Sequence, residues 1–248
     1  MNKITISLQL FIICLILFVH PVSTSAQDTV LNKYGLLVIN KITELNRSVL
    51  INPDKKMVDI KRNIPMLVTD LRYSGKNNFM KEQLYPLLFT TYLRQPAADS
   101  LLAVQKELKL MGLGLKIFDA YRPYSVTEKM WEPIKDDRYA ADPKSGSGHN
   151  RGTSVDLTII DLVTKAELKM GTGFDNFSDT AHHTFSHLPE AVLKNRLLLK
   201  TVMEKHGFKA LETEWWHYSL WNAKDFELLD LPFSDLIVKK VKRKKIRK

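Results

Sequence analysis

The sequence predicts an α+β fold in which helices flank a mostly antiparallel sheet. The predicted helices and strands do not alternate regularly along the chain, which argues against a Rossmann fold or a barrel and favours helices packed on an antiparallel sheet. Residues 27–238 contain no internal repeat and no Gly/Ser-rich or Pro-rich linker. With 248 residues, of which 44% are hydrophobic, the chain is long enough for one domain with its own core.

The individual elements follow from apolar spacing and from the residues that end helices and strands. Leu101, Val104 and Leu108 recur at helical spacing, and Gly112 follows them, so a helix is predicted to end there. In chain order, the predicted elements are a lead-in with weak apolar spacing over 27–60, a strand over 66–71, a helix over 96–111, a strand over 115–120, a short helix over 125–131, a loop over 140–152, a strand over 155–160, a loop over 171–188, a helix over 189–206 and an aromatic-rich strand over 212–220.

The first 26 residues predict a secretory signal peptide. Lys3 precedes an apolar run over residues 4–19, a proline follows that run, and small residues lead up to position 26. This order predicts cleavage before Gln27 and an exported protein, either periplasmic or secreted. The alternative is an uncleaved membrane anchor, for which the run is short. The single cysteine, Cys14, lies inside the run, so the mature chain would have no disulfide and no thiol ligand.

The formal charge of +10 is concentrated in a C-terminal tail. Residues 239–248 carry eight basic side chains and no acid, which leaves +2 for the rest of the chain. The pI therefore describes a tail rather than a basic binding face, and an exported protein is not expected to bind nucleic acid. The tail is predicted either to be a solvated end or to contact anionic polymers or lipid headgroups of the cell envelope loosely.

The first segment with candidate metal ligands has the sequence SGHNRGTSVD and runs from Ser147 to Asp156. His149 and Asp156 can bind zinc through a nitrogen and an oxygen. Their separation of seven residues would place them on opposite faces of an ideal strand. The chain must therefore bend between them, and Gly152 permits a bend. Taken alone, the pair is also consistent with an unrelated loop histidine and strand-edge aspartate.

Two further segments supply an acid, a second histidine and an arginine. The sequence EWWH places Glu214 three residues before His217, which resembles a general base beside a metal ligand rather than the helical zinc motif. Both side chains can meet one metal only if the strand twists or bulges. In the sequence DAYRP, Arg122 follows a predicted strand, where it can stabilise an oxyanion. Taken singly, these residues are also consistent with ordinary core and surface positions.

Together, the three segments contain the groups needed for metal-assisted hydrolysis. Three protein ligands leave a zinc ion one open position for water. A carboxylate can take the proton from that water, and an arginine can stabilise the charge that develops on a peptide carbonyl. The sequence therefore predicts a zinc peptidase with one Zn²⁺ per chain, bound by His149, Asp156 and His217, with Glu214 as the base.

These runs, in their spacing between about residues 58 and 221, resemble the VanX-like D-alanyl-D-alanine dipeptidases. Those enzymes belong to the zinc D-Ala-D-Ala metallopeptidase family, which shares its fold with the Hedgehog signalling domain. The runs LRYSGKNNF at 71–79 and GTGFDNF at 171–177 also resemble family segments. The resemblance implies the same three zinc ligands, the same base and a transition-state role for Arg122.

The resemblance also implies residues that bind the substrate. It implies that Asp175 recognises the substrate amino group, that Asp119 supports Arg122 or the same end of the substrate, and that Ser147 and Tyr73 line a dipeptide pocket. Gly148 stands where the resistance-type enzymes lead us to expect serine, which puts one hydrogen bond to the substrate in question.

A histidine pair competes with these ligands. His182 and His183 follow Asp175 in a predicted loop. Because the side chains of adjacent residues diverge, we interpret the pair as structural or rim groups rather than as metal ligands.

Three functions are consistent with these residues. The first is hydrolysis of the free D-Ala-D-Ala dipeptide to two D-alanines, in cell-wall turnover or scavenging. The alternative is a D,D- or L,D-carboxypeptidase or endopeptidase that acts on peptidoglycan stem peptides with the same zinc site in a more open cleft. The third is a non-catalytic zinc-binding module, against which Glu214 and Arg122 count. The sequence predicts no particular oligomeric state.

Overall fold

The computed structural model describes residues 31–237, so the predicted signal peptide and basic tail lie outside the described residues. Within that range no helix is both long and apolar enough to cross a membrane. In chain order the helices and strands are β1 (Val38–Ile39), α1 (Ile42–Ile51), β2 (Met57–Asp59), α2 (Ile60–Asn63), β3 (Val68–Thr69), β4 (Tyr92–Arg94), α3 (Gln95–Lys109), β5 (Leu113–Asp119), α4 (Tyr124–Ile134), α5 (Gly148–Arg151), β6 (Ser154–Asp161), α6 (Glu190–Lys205), β7 (Phe208–Leu211), β8 (Glu214–Leu220), β9 (Leu228–Leu229) and α7 (Phe233–Leu236).

The main sheet has five strands in the order β3-β5-β6-β8-β7. The pairs β5–β6, β6–β8 and β7–β8 are antiparallel, and only β3 joins its neighbour β5 in parallel. The predicted α+β class, with a mostly antiparallel sheet flanked by helices, is therefore confirmed.

One face of this sheet is buried against helices and the other carries polar side chains. Val155, Leu157 and Ile159 of β6 belong to a core cluster that also contains most of the buried apolar residues of α3 and α6. Because successive side chains of a strand point to opposite faces, Asp156 projects from the other face. The helices thus pack on one face of the sheet, and the face that carries Asp156 is available for a site.

Two predicted segments contain helices that apolar spacing did not indicate. The lead-in over 27–60 contains α1, of which only Leu45 is fully buried, so its apolar periodicity is weak. The loop predicted over 140–152 contains α5, which has no apolar side chain and is defined by its ends. Ser147 and Asn150 form a capping box at its start, and Gly152 ends it with φ 69°.

Arg94 fixes the C-terminal end of α5 to the rest of the fold. This side chain is fully buried, and its Nε donates to the Arg151 carbonyl at 2.9 Å, while its backbone N–H donates to the Gly152 carbonyl at 2.7 Å. The guanidinium also donates to the Lys55 and Glu227 carbonyls. The short helix α5 is therefore tied to segments from both ends of the described chain.

Candidate metal centre and its pocket

Three adjacent strands bring candidate site residues into one row. In the sheet register, Asp119 of β5 is opposite Asp156 of β6, and Asp156 is opposite His217 of β8. The register between β7 and β8 shifts so that residues 215–217 lie between two consecutive pairs, Ala210 with Tyr218 and Leu211 with Glu214. This irregularity is the predicted bulge between Glu214 and His217, and it lets both side chains face one site.

The bend predicted between His149 and Asp156 is also present. His149 lies in α5, and the left-handed residue Gly152 reverses the chain into β6. At the start of α5, the Ser147 hydroxyl accepts a hydrogen bond from the His149 N–H at 3.1 Å. The histidine is thereby held at the entrance of a helix only four residues long.

The three predicted ligands form a compact cluster in which His149 and Asp156 are buried and His217 is half-buried. His149 Nε2 lies 3.3 Å from Asp156 Oδ2, His217 Nδ1 lies 2.9 Å from Asp156 Oδ1, and the two histidine nitrogens are 3.2 Å apart. Among residues 31–237, these are the residues whose ligand atoms are grouped closely enough to hold a metal ion. The Ala120 carbonyl can only accept, so the His149 Nδ1 2.7 Å away is the protonated nitrogen and Nε2 keeps its lone pair for a metal.

These distances fit zinc. A tetrahedral zinc ion with bonds of about 2.0–2.1 Å separates its ligand atoms by about 3.3 Å. The separations within the cluster are 2.9, 3.3 and 3.2 Å, and two imidazoles with one carboxylate are a donor set that zinc prefers.

The second nitrogen of His217 contacts a residue that the sequence analysis missed. His217 Nε2 lies 3.1 Å from the Ser219 hydroxyl, which in turn lies 2.6 Å from the Ser154 hydroxyl. A partner of this kind fixes the ring so that the other nitrogen faces the metal. Ser219 lies two residues after His217 on the same strand, so the two side chains are on the same face of the sheet. This spacing is the signal by which Ser219 can be identified in the sequence.

The acidic groups at the cluster have opposite pKa shifts. Burial alone would raise the pKa of Asp156, but the charges and hydrogen bonds of His149 and His217 outweigh it and hold the pKa below its ordinary value. Burial raises the pKa of Glu214 well above its ordinary value, and the charges of Asp156 and Asp175 act in the same direction. Glu214 Oε2 lies 3.9 Å from His217 Nδ1. A carboxyl group of raised pKa at this position is suited to take up a proton.

Arg122 is held by a buried carboxylate. Its Nε and Nη2 donate to Asp119 Oδ2 at 3.0 and 2.8 Å, and its Nη2 lies 3.9 Å from Asp156 Oδ2. The Tyr85 hydroxyl lies 3.1 Å from the second oxygen of Asp119. Asp119 thus lies behind Arg122, and Tyr85 is a member of this network that the sequence analysis did not identify.

Asp175 and Tyr73 form a further part of the site. Asp175 Oδ1 accepts a hydrogen bond from the Tyr73 hydroxyl at 3.0 Å, and its Oδ2 accepts one from the Phe79 N–H at 3.3 Å. Burial raises the pKa of Asp175 to about 7, and the charge of Asp156 adds to this, although both hydrogen bonds oppose it. Asp175 also has a left-handed backbone, with φ 59°, a conformation found disproportionately at functional sites.

A cavity of about 230 Å³ joins these groups. This volume is below the range of about 300–1,000 Å³ that is typical of drug-sized ligands, so the cavity suits a small molecule. It is lined by all the predicted site residues except Asp119, namely Tyr73, Arg122, Ser147, His149, Asp156, Asp175, Glu214 and His217.

The remaining predictions concern Gly148 and the histidine pair. A Cβ atom at Gly148 would lie 1.9 Å from the Ser154 hydroxyl, so serine does not fit at 148 while Ser154 keeps its position. His182 and His183 lie outside the metal cluster. Burial lowers the pKa of His183 to about 4, so this ring is neutral, and it contacts the Tyr218 ring at a centroid distance of 6.1 Å.

A largely buried cluster of two histidines and one aspartate, beside a carboxyl group of raised pKa and an arginine, is the arrangement of a metal-dependent hydrolase. Residues 53–239 match the peptidase M15 family, which is described as D-ala-D-ala dipeptidase. The chain belongs to this family, and it is a zinc-dependent metallopeptidase.

Individual relatives agree with the family match. A D-alanyl-D-alanine dipeptidase of Escherichia coli is 35% identical over 182 residues, which cover 73% of this chain and 93% of the relative. A D-alanyl-D-alanine dipeptidase of Enterococcus faecalis is 31% identical over 50% of this chain and 67% of the relative. The solved LD-carboxypeptidase LdcB is 20% identical over 54% of this chain and 61% of that chain, with a TM-score of 0.36, which is too low for a comparison of the two sites.

Proposed function

We propose that this enzyme hydrolyses the free dipeptide D-Ala-D-Ala to two D-alanines. The observation that carries the proposal is the buried carboxyl group of Asp175, which faces the same small cavity as the metal ligands. The names of the relatives support the same substrate.

Zinc would be held by His149, Asp156 and His217, and when bound it acidifies water and polarises the scissile carbonyl. Glu214 takes the proton of the attacking water as the water oxygen bonds to the carbonyl carbon. Arg122 donates hydrogen bonds to the carbonyl oxygen as that oxygen becomes negatively charged. When the C–N bond breaks, Glu214 returns the proton to the nitrogen that leaves. The second proton of the water passes from the new carboxyl group to the released amine, so the products are two D-alanines, each with one carboxylate and one ammonium group.

The free amino end of the dipeptide matches Asp175. A buried carboxylate is costly unless a cation pairs with it, and the substrate ammonium is such a cation. The hydrogen bonds from Tyr73 and Phe79 hold the carboxylate in place for it. A peptide with a blocked amino end leaves this carboxylate without a partner and should therefore bind poorly.

Purified zinc-loaded enzyme should hydrolyse D-Ala-D-Ala at least about 100-fold more efficiently than N-acetyl-D-Ala-D-Ala, the loss expected for a buried charge without its partner. The measurement is kcat/KM for the two compounds, with hydrolysis monitored through the release of D-alanine. Equal values would contradict a strict dipeptidase and would favour the alternative, a carboxypeptidase or endopeptidase acting on peptidoglycan stem peptides. Absence of hydrolysis with full zinc occupancy would favour a binding module.

We also propose that the protein is exported and acts in cell-wall turnover or scavenging. The basic start, apolar run and small residues before Gln27 support export. The basic tail over 239–248 supports a loose contact with anionic envelope polymers. Protein recovered from the outside of the inner membrane should have Gln27 as its first residue in N-terminal sequencing. A membrane-bound product that still carries residues 1–26 would instead indicate an anchor.

A further inference from the structure

Four aromatic rings near Asp175 contact one another in a continuous series that links three loops. Tyr139 stacks on Phe177 with a centroid distance of 5.0 Å and an interplanar angle of 29°. The ring centroids of Phe177 and Phe79 are 5.2 Å apart, and those of Phe79 and Tyr73, which contact edge to face, are 6.2 Å apart. These separations are those of attractive aromatic pairs. Tyr139, Phe177 and Phe79 come from three separate loops, so the rings hold these loops together.

This run of rings lies directly against the carboxylate of Asp175. The two oxygens of Asp175 accept hydrogen bonds, one from the Tyr73 hydroxyl and one from the Phe79 backbone N–H. Phe177 follows Asp175 by two residues. Tyr73, Phe79 and Tyr139 also line the cavity. A substrate whose ammonium pairs with Asp175 would therefore have aromatic rings next to its amino end.

The loop that carries Tyr139 is fixed on its other side. The Thr213 hydroxyl, in the turn between β7 and β8, donates to the Arg138 carbonyl at 3.3 Å. Arg138 itself is paired with Asp136 through contacts of 2.6–3.2 Å. Tyr139 is thus held between its stacking partner Phe177 and the turn that precedes Glu214.

We propose that Tyr73, Phe79 and Tyr139, together with Phe177, which lies outside the cavity lining and supports the rings of Phe79 and Tyr139, form an aromatic wall that limits the substrate to a dipeptide at its amino end. The inference rests on the proposed function, and it separates two ways of rejecting longer peptides. Asp175 selects for positive charge at the amino nitrogen, whereas the aromatic wall selects against bulk beyond that nitrogen. A substituent that adds bulk but keeps the charge is rejected by the wall alone.

N-propyl-D-Ala-D-Ala separates the two effects because its secondary amine remains protonated. N-acetyl-D-Ala-D-Ala adds bulk and also removes the charge. The experiment measures kcat/KM for both compounds and for D-Ala-D-Ala in the wild type, in Phe177→Ala and in the double variant Tyr139→Ala/Phe177→Ala. The ratio of N-propyl to unmodified dipeptide should rise at least tenfold in the double variant. The ratio of N-acetyl to N-propyl dipeptide should stay within threefold of wild type, because the two substituents are similar in size and Asp175 is intact.

Two matched variants serve as controls. Tyr139→Phe keeps the stacked ring and should retain the wild-type ratios. Phe89→Ala removes a ring that is 79% exposed, lies outside the cavity lining and is not one of the four rings of the aromatic wall, and it should also retain them. Because alanine can destabilise the loops, Tyr139→Leu and Phe177→Leu are measured in parallel, and zinc content with circular dichroism identifies the folded variants.

The outcomes distinguish the inference from the proposed function. Folded variants that hydrolyse D-Ala-D-Ala without a rise in the N-propyl ratio would overturn the aromatic wall. A wild-type enzyme that hydrolyses the N-propyl compound as well as the unmodified dipeptide would overturn it too. A wild-type enzyme with full zinc occupancy and no activity on D-Ala-D-Ala would overturn the proposed function, and the inference with it.

Discussion

Replacing Glu214 by glutamine should lower kcat by about 10²–10⁴-fold, the range expected when a general base is lost. Glutamine keeps the size of the side chain but cannot accept a proton from water. Glu214 is buried, and its carboxyl group lies 3.9 Å from a nitrogen of His217 without belonging to the three-residue metal cluster. Zinc content should therefore stay at one ion per chain, while KM changes much less than kcat.

The control for this variant is Glu212→Gln, which makes the same chemical change two residues earlier. The Glu212 side chain is 61% exposed and pairs with Lys200 at 3.1 Å, away from the cavity lining. It should keep wild-type kcat. Zinc analysis and steady-state kinetics on both variants check the expectation. A Glu214→Gln enzyme that loses its zinc, or that keeps its rate, would show that Glu214 is a ligand or a bystander rather than the base.

The second large effect is expected on stability. Asp119→Ala should lower the free energy of unfolding by about 3–5 kcal/mol, the cost of leaving one partner of a buried ion pair alone. Asp119 is fully buried, accepts two hydrogen bonds from Arg122 and contacts the Tyr85 hydroxyl. Its removal leaves a buried guanidinium and a buried hydroxyl without this acceptor. Because Arg122 would also lose its position, kcat should fall in the same variant.

Asp136→Ala provides the comparison for Asp119→Ala, since Asp136 also makes a two-nitrogen contact with a nearby arginine, Arg138. The Arg138 side chain is 64% exposed, so solvent screens this pair and its loss should change stability little. Urea unfolding of both zinc-saturated variants gives the difference. If the two variants have the same unfolding free energy, Asp119 does not stabilise the fold through a buried ion pair.

The parts of the fold that were predictable are those in which one face of an element is apolar. Helices α3 and α6 match the predicted helices to within a few residues, and β6 matches its predicted strand, because each buries a regular apolar pattern. The helices α1 and α5 were missed. The first buries a single residue completely, and the second exists because Ser147 and Gly152 define its ends. Capping of this kind has no hydrophobic period to detect.

The residues of the site also fall into those that were predictable from the sequence and those that were not. The residues that the sequence analysis selected lie in short runs, and eight of them line one cavity. Apart from Ser219, the groups it missed are brought in from distant positions or carry no side-chain signal. Tyr85 is 34 positions from Asp119, the Phe79 N–H is 96 positions from Asp175, and the partner of the His149 ring is the backbone carbonyl of Ala120. Local sequence contains no information on such pairs, since only the folded sheet and loops bring them together.

The close approach of Gly148 to Ser154 makes these two positions interdependent under mutation. The hydroxyl of Ser154 lies where a side chain at 148 would begin, and the same hydroxyl contacts Ser219, which contacts the ring of His217. A larger residue at 148 would therefore displace Ser154, and this displacement would pass through the hydroxyl groups of Ser154 and Ser219 to His217, a proposed metal ligand. Exchanging position 148 between this enzyme and a relative is thus an epistatic change, whose effect depends on what occupies position 154.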